Sequence, residues 1–316
     1  MEKKLILLGI SLFMLFGILG CSAGKTSSRP AGNAGISENE EQINLNLENC
    51  GVINDTVADV FKEASIQSDR ISQAIFNQPV EILQEKDNWV KVKVIDGHIG
   101  WIKSRYIDRN RSSLNVKGSK YRVVVTIKKS KVLSEAKYGA LLKEVVMGTE
   151  FYPVSSSDGW YRVVLPDNKT GWLNESGTIQ IPAGKHISKT TAEDFVATAK
   201  KFMDTVYLAG GVSAWDGIDS SGLTYISSRI NGLDLPRDIS EQYKSGKALG
   251  KNTGSLIPGD LVFFSTNANQ KDLAMVGIYL GQSQFLHASK SEGTVTVNTL
   301  KDSFFEERLI GARRIF

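Results

Sequence analysis

Cysteine and histidine are scarce in this 316-residue chain, which holds two Cys and three His. His98, His186 and His287 lie far from one another and from Cys21 and Cys50, so no ligand set at metal-binding spacing is present. No metal and no cofactor is therefore expected. Charge of one sign is lacking too, since 38 basic residues face 34 acidic ones, interspersed, for a formal +4. Without a basic stripe interleaved with aromatics, nucleic acid is excluded as a partner. Long apolar runs are absent apart from Leu5 to Leu19, which falls short of the roughly 20 residues a membrane-spanning helix needs.

What is present begins with that run. It follows Met1-Glu2-Lys3-Lys4 and ends at Gly20-Cys21-Ser22, giving the charged start, apolar centre and small-residue break of an export signal over residues 1–20. Ile18-Leu19-Gly20-Cys21 resembles a bacterial lipobox, which implies a lipidated Cys21 and an exported chain anchored at a membrane surface. An ordinary signal peptide ending beside a Cys is the alternative; the small-residue–Cys junction at the cleavage point favours lipidation. Ser22 to Gln42 is rich in Ser, Gly, Ala and acid, and residues 21–48 are expected to form a flexible tether. With Cys21 lipidated, no intramolecular disulfide can form. Cys50 then reads as a small buried hydrophobe rather than a displaced nucleophile, since the nearest His in sequence is the distant His98.

A repeat follows. Asp87-Asn88-Trp89-Val90-Lys91-Val92-Lys93-Val94 with Gly100-Trp101-Ile102 is matched without gaps by Asp158-Gly159-Trp160-Tyr161-Arg162-Val163-Val164-Leu165 with Gly171-Trp172-Leu173. Each copy alternates with period two around a polar turn, Asp96-Gly97 or Asp167-Asn168, and so predicts a hairpin. Two copies of about 60 residues argue for tandem small barrels rather than a solenoid. The pattern resembles bacterial SH3 domains, expected at 49–110 and 118–182, a class that commonly precedes cell-wall hydrolase domains. Trp101 and Trp172 are expected in barrel core and hairpin packing rather than on a ligand platform, and His98, on its turn, is expected to be solvated.

From Ser188 the pattern becomes α+β. Thr190-Thr191-Ala192-Glu193 offers a capping box, followed at helical spacing by Phe195, Val196, Ala199, Phe202, Met203 and Val206. Ser221 to Ile230 predicts a second helix stopped by Asn231-Gly232. The segments at Leu235-Pro236-Arg237, 257–264, 276–280, 284–288 and 294–297 are expected to lead into or form an antiparallel sheet.

Three segments carry chemistry: Asp219-Ser220-Ser221-Gly222, Met275-Val276-Gly277-Ile278-Tyr279-Leu280-Gly281 and Phe285-Leu286-His287-Ala288-Ser289. They resemble the active-site motifs of the NlpC/p60 family, papain-like cysteine peptidases of bacterial cell walls, and the likeness covers 188–316. The resemblance implies an α+β papain-like NlpC/p60 domain preceded by two small all-β SH3-like barrels. In the family the first motif reads Asp-Cys-Ser-Gly and the second begins His-Val-Gly. Here Ser220 stands at the nucleophile's place and Met275 at the base's, while His287 matches the third member of the triad. A hydroxyl depends on a neighbouring general base more than a thiol does, and a thioether cannot titrate. The loss of both partners implies a degenerate enzyme with no catalytic residues. The resemblance also implies that Tyr207, Asp219 and Ser221 are substrate-binding, an acid near a small pocket being suited to a peptide's α-ammonium. The competing reading has Asp219 capping the helix and Tyr207 packing in the core, with Arg237 structural. The expected role is a surface lipoprotein that binds peptidoglycan or muropeptides, or regulates an active cell-wall hydrolase. The alternative is an endopeptidase working through Ser220 and His287, and a third reading is a structural tether with a plugged pocket.

Overall fold

The computed structural model describes residues 47–114, 118–268 and 272–316. The leader, Cys21 and nearly all of the expected tether lie outside these residues, and with them the lipidation reading. Among the described residues no helix is long and apolar enough to cross a membrane.

The first alternating region forms β1 (Cys50–Ile53), β2 (Val57–Phe61), β3 (Arg70–Ile75), β4 (Pro79–Lys86), β5 (Trp89–Lys93), β6 (Ile99–Lys103) and β7 (Ile107–Asp108). They make one antiparallel sheet in the order β3-β2-β6-β5-β4-β1-β7, curled around Ala58, Val60, Val90, Val92 and Ile102. Cys50 is buried and free at the start of β1. The second region gives β8 (Tyr121–Val125), β9 (Lys129–Leu133), β10 (Leu141–Val146), β11 (Glu150–Phe151), β12 (Ser155–Ser157), β13 (Trp160–Val164), β14 (Thr170–Asn174) and β15 (Thr178–Pro182). These form two sheets, β10-β9-β14-β13-β12 and β11-β8-β15, around Val123, Val132, Phe151, Val163 and Leu173.

The glycine before each second Trp of the repeat is there for reasons of distance. A Cβ on Gly100 would lie 2.6 Å from the Phe61 carbonyl oxygen, and one on Gly171 would lie 2.4 Å from Val132 Cγ1. Strands β6 and β14 thus cross β2 and β9 at a range only a bare Cα allows. Gly171→Ala is expected to cost about 1–3 kcal/mol in denaturant unfolding, because the Val132 neighbourhood is already close-packed. A loss below about 0.5 kcal/mol would mean that the barrel yields there.

The same alternation places Trp101 and Trp172 in hairpin packing rather than at the centre of the barrels. Gly100 and Ile102, and likewise Gly171 and Leu173, are the buried positions of their strands, so Trp101 and Trp172 between them are only half-buried. Trp89 is the buried one, at 6% exposure, with Phe61 edge-on at 5.7 Å and Lys103 Nζ 3.9 Å from its ring centre. The expectation for His98 is corrected. Its Nδ1 lies 3.1 Å from Asp96 Oδ1 and its Nε2 3.4 Å from Asp238 Oδ1, leaving the ring 18% exposed. It is held between two carboxylates because the turn it occupies packs on the third unit.

That unit contains α1 (Ala192–Lys200), β16 (Val212–Ser213), β17 (Gly217–Ile218), α2 (Ser220–Ile230), α3 (Ile239–Gln242), β18 (Lys247–Gly250), β19 (Leu261–Phe264), β20 (Met275–Gly281), β21 (Gln284–Ala288), β22 (Val295–Thr299), α4 (Ser303–Glu306) and β23 (Leu309–Arg314). Its sheet runs β18-β23-β19-β20-β21-β22, antiparallel throughout. The capping box lies one residue later than expected, on Thr191 and Asp194, because the Thr190 hydroxyl donates to Asn231 Oδ1 at 2.7 Å. Helix α1 stops at Lys200, so Val206 is off the apolar face and 56% exposed. Pro236-Arg237 enters the short helix α3, not a strand, with Asp238 at its N-cap.

Alternation along β20 splits the core. Val276 and Ile278 join Phe195, Leu223 and Ile226 of α1 and α2, while Tyr279 joins Phe264, Phe285 and Phe305 on the opposite face. The first of these clusters also takes in Ile75 of β3 and Val146-Met147 at the end of β10. All three are fully buried, and each such side chain contributes about 1.5–3 kcal/mol. The barrels are therefore built into the core of the third unit. Polar ties reinforce this: Arg70 Nη1 donates to Ala209 O at 3.2 Å, Val212 N donates to Gln73 Oε1 at 3.0 Å, and Lys128 Nζ donates to Met203 O at 2.7 Å.

Candidate functional site

Helix α2 sets the geometry. Asp219 stands in extended conformation at its N-cap and accepts from Gly222 N at 2.7 Å, which satisfies one of the free N–H groups of the first turn. Ser220 is consequently the first helical residue, only 8% exposed. A thiolate there would gain from the helix N-terminus. A neutral hydroxyl gains far less. The closest partner of Ser220 Oγ is Val276 N, which donates to it across 3.4 Å. No titratable group hydrogen-bonds this hydroxyl among the described residues.

Met275 begins β20 and sits on the sheet face that carries Phe264 and Phe285, half-buried against that cluster. The register Ile278↔Leu286 and Tyr279↔Phe285 puts His287 on the same face as Met275, diagonally across the strand pair. His287 is 1% exposed and stacks near Phe285, with ring centres 5.0 Å apart. Its Nε2 lies 2.7 Å from Asn298 Oδ1. With that amide oxygen as acceptor, Nε2 carries the proton and Nδ1 is left as a bare acceptor. Nδ1 has no hydrogen-bond partner among the described residues, although it is fully buried. Burial lowers the His287 pKa, outweighing the Asn298 bond and the Glu292 charge, so the ring is neutral near pH 7. His287 is thus oriented and uncharged, but has no base beside it to orient.

The other side of α2 holds a buried ion pair. Arg237, 4% exposed, donates from Nη2 to Asp219 Oδ2 at 2.7 Å and to Gly211 O at 3.3 Å, and from Nη1 to Ser221 Oγ at 2.6 Å. Asp219 also receives Gly210 N at 2.8 Å and Ser221 Oγ at 3.3 Å, so four donors meet its two oxygens. Asp219 therefore caps α2 and is at the same time the partner of Arg237. Tyr207 runs beside Ile218 in a short parallel bridge and is half-buried against the core. Burial, and after it the Asp219 charge, raises the Tyr207 phenol above its usual range, with Arg237 opposing. The hydroxyl is therefore a neutral donor at any physiological pH.

Two members of this arrangement carry no strong signal in the sequence. Asn298 is visible only as the polar alternate of Val295–Thr299, on the face shared with His287. Arg237 follows a proline in a segment without periodicity, and only folding brings it under α2. No cluster of three His, Cys, Asp or Glu side chains suited to a metal occurs among the described residues.

Comparison with known proteins bears on the fold and the family. The profile of the NlpC/P60 family covers residues 204–314, that of the bacterial SH3 domain 56–108, and that of the GW (Gly-Tryp) dipeptide domain 120–178. The chain is 28% identical over 254 residues to a gamma-D-glutamyl-L-lysine dipeptidyl-peptidase of Bacillus cereus, covering 77% of this chain and 74% of that one. It is 38% identical over 112 residues to the probable endopeptidase NlpC of Escherichia coli, covering 35% of this chain and 70% of the relative. A crystal structure of an NlpC/P60 family protein from Bacillus cereus superposes with a TM-score of 0.76 at 23% identity, covering 84% of this chain and 99% of that one. The papain-like domain with β-rich SH3-like units before it is therefore the fold of this protein. On the identity and coverage of the Escherichia coli relative, the chain belongs to the NlpC/P60 family.

Proposed function

We propose that this protein is a cell-envelope member of the family that recognises peptidoglycan stem peptides, or regulates an active wall hydrolase, and has itself lost hydrolysis. Lipid on Cys21 would hold it to a membrane surface. The observation that carries the reading is the surroundings of Ser220 Oγ, where the nearest polar partner is a backbone N–H and the base's position is a thioether packed on phenylalanines. A serine nucleophile needs a base within about 3 Å to take its proton. His287, tied to Asn298, makes no hydrogen bond to Ser220.

The binding side of the reading rests on Tyr207, Asp219 and Ser221. Asp219 keeps its carboxylate 17% exposed with Arg237 as counter-ion. A peptide ammonium arriving here meets an acid already paired with a buried guanidinium rather than a lone acid.

The test is incubation of the purified protein with muropeptides, followed by mass spectrometry and calorimetry with an L-Ala-γ-D-Glu-containing peptide. Intact muropeptides together with a measurable heat of binding are expected. Turnover that disappears in Ser220→Ala would overturn the reading in favour of a serine hydrolase. Neither turnover nor heat would leave a structural tether.

A further inference from the structure

His98 links the first barrel to the segment that carries Arg237. Around it, the Ser72 hydroxyl donates to Asp96 Oδ2, and His98 N donates to Asp96 Oδ1 at 3.0 Å. The ring then bridges Asp96, whose side chain is 3% exposed, to Asp238 at 64% exposure. Asp238 directly follows Arg237, whose guanidinium grips Asp219 and Ser221. Two buried atoms beside this chain of contacts, Arg237 Nε and the Tyr225 hydroxyl, have no hydrogen-bond partner among the described residues.

We infer that His98 is a positioning residue for the peptide pocket, which it controls through Asp238 and Arg237 and whose firmness it sets by gaining or losing a proton. The inference rests on the peptide-binding reading only for its ligand readout; the linkage itself is a property of the free protein.

The groups facing His98 decide the sign. Its bond to Asp96 raises the imidazole pKa, burial acts against this, the Asp96 and Asp238 charges raise it further, and Arg237 lowers it, leaving it above the ordinary value. Burial would raise Asp96, but the bonds from His98 and Ser72 and the His98 charge outweigh it and hold the carboxyl below its usual range. Tyr225 is pushed up to about 12, chiefly by burial, and stays neutral. A folded pKa above the unfolded one means that the latch contributes in full below about pH 6.5 and is lost as pH rises through the raised folded value. The pocket should therefore be firmest in mildly acidic conditions.

Two readouts on the full-length protein test this. Ring-proton NMR titration should place the His98 midpoint above the ordinary imidazole value and show it lowered in Asp238→Asn. The amide signals of Gly210 and Gly222, which donate to Asp219, should titrate with the same midpoint in the wild type and stay flat in His98→Gln. Affinity for the L-Ala-γ-D-Glu-containing peptide should weaken about threefold or more between pH 6 and pH 8.5, and not in His98→Gln. A His98 midpoint at or below the ordinary value, or glycine amides that ignore it, overturns the inference. Co-titration of the amides without peptide binding at any pH would uphold the latch and sink the binding reading alone.

Discussion

Ser220→Cys combined with Met275→His is expected to turn the protein into a working peptidase on muropeptides, while either change alone leaves it close to inert. Position 220 already opens α2, where free N–H groups favour a thiolate. Position 275 lies on the sheet face of His287 and diagonal to it. A histidine there would meet the unpartnered Nδ1 of His287, which is buried and already oriented by Asn298. Removing that orphan acceptor also removes a penalty of about 1–3 kcal/mol. General-base catalysis contributes about 10²–10⁴ in rate, and residues that act as a unit combine far from additively. The double variant should therefore exceed the product of the single effects by at least about tenfold. Thiol alkylation against pH gives a second readout, with the thiol introduced at position 220 reacting at lower pH in the double variant than in the single one. A double variant that folds and alkylates readily, yet cleaves nothing, would mean that the cleft is closed to peptides.

Arg237→Met should produce the largest loss of stability among single changes at the site. Methionine keeps much of the volume, so the loss reports charge and hydrogen bonding. Arg237 is almost wholly buried and its pKa is raised; burial alone would lower it, and Asp219 more than compensates. Stripping the partner from a buried pair typically costs about 3–5 kcal/mol, because the remaining charge is stranded. Here the stranded group is the N-cap of α2, so the first turn carrying Ser220 should loosen as well. Asp219→Asn in the Arg237→Met background should recover a large part of the loss, since Asn caps a helix nearly as well as Asp and carries no charge. Denaturant unfolding of the four proteins of this cycle gives the coupling directly. A cost below about 1 kcal/mol for Arg237→Met would show that water replaces the guanidinium and that the pair holds nothing together.

The parts of the fold that could be read along the chain are those whose signal is local. Alternation around Asp96-Gly97 and Asp167-Asn168 specifies two hairpins, and Asp219 before an apolar helical pattern specifies the start of α2. The spacing of Met275 and His287 on neighbouring strands is likewise visible in the sequence. Local competition explains the small differences. Thr190 is drawn to Asn231, so the capping box moves to Thr191, and Gly100 and Gly171 take the inward positions that Trp101 and Trp172 would otherwise fill.

The larger differences depend on contacts between segments remote in the chain. That His98 lies between Asp96 and Asp238, that Arg237 reaches under α2 to Asp219, and that Ile75 and Met147 complete the core of the third unit follow from how the barrels pack on it. Periodicity reports which face of an element is apolar and is silent on what covers that face. The motif Asp219-Ser220-Ser221-Gly222 carries the resemblance to the family by residue identity alone. Whether its acid stands free or paired was decided by an arginine that only the tertiary structure brings beside it, since a buried guanidinium needs a counter-charge packed against it.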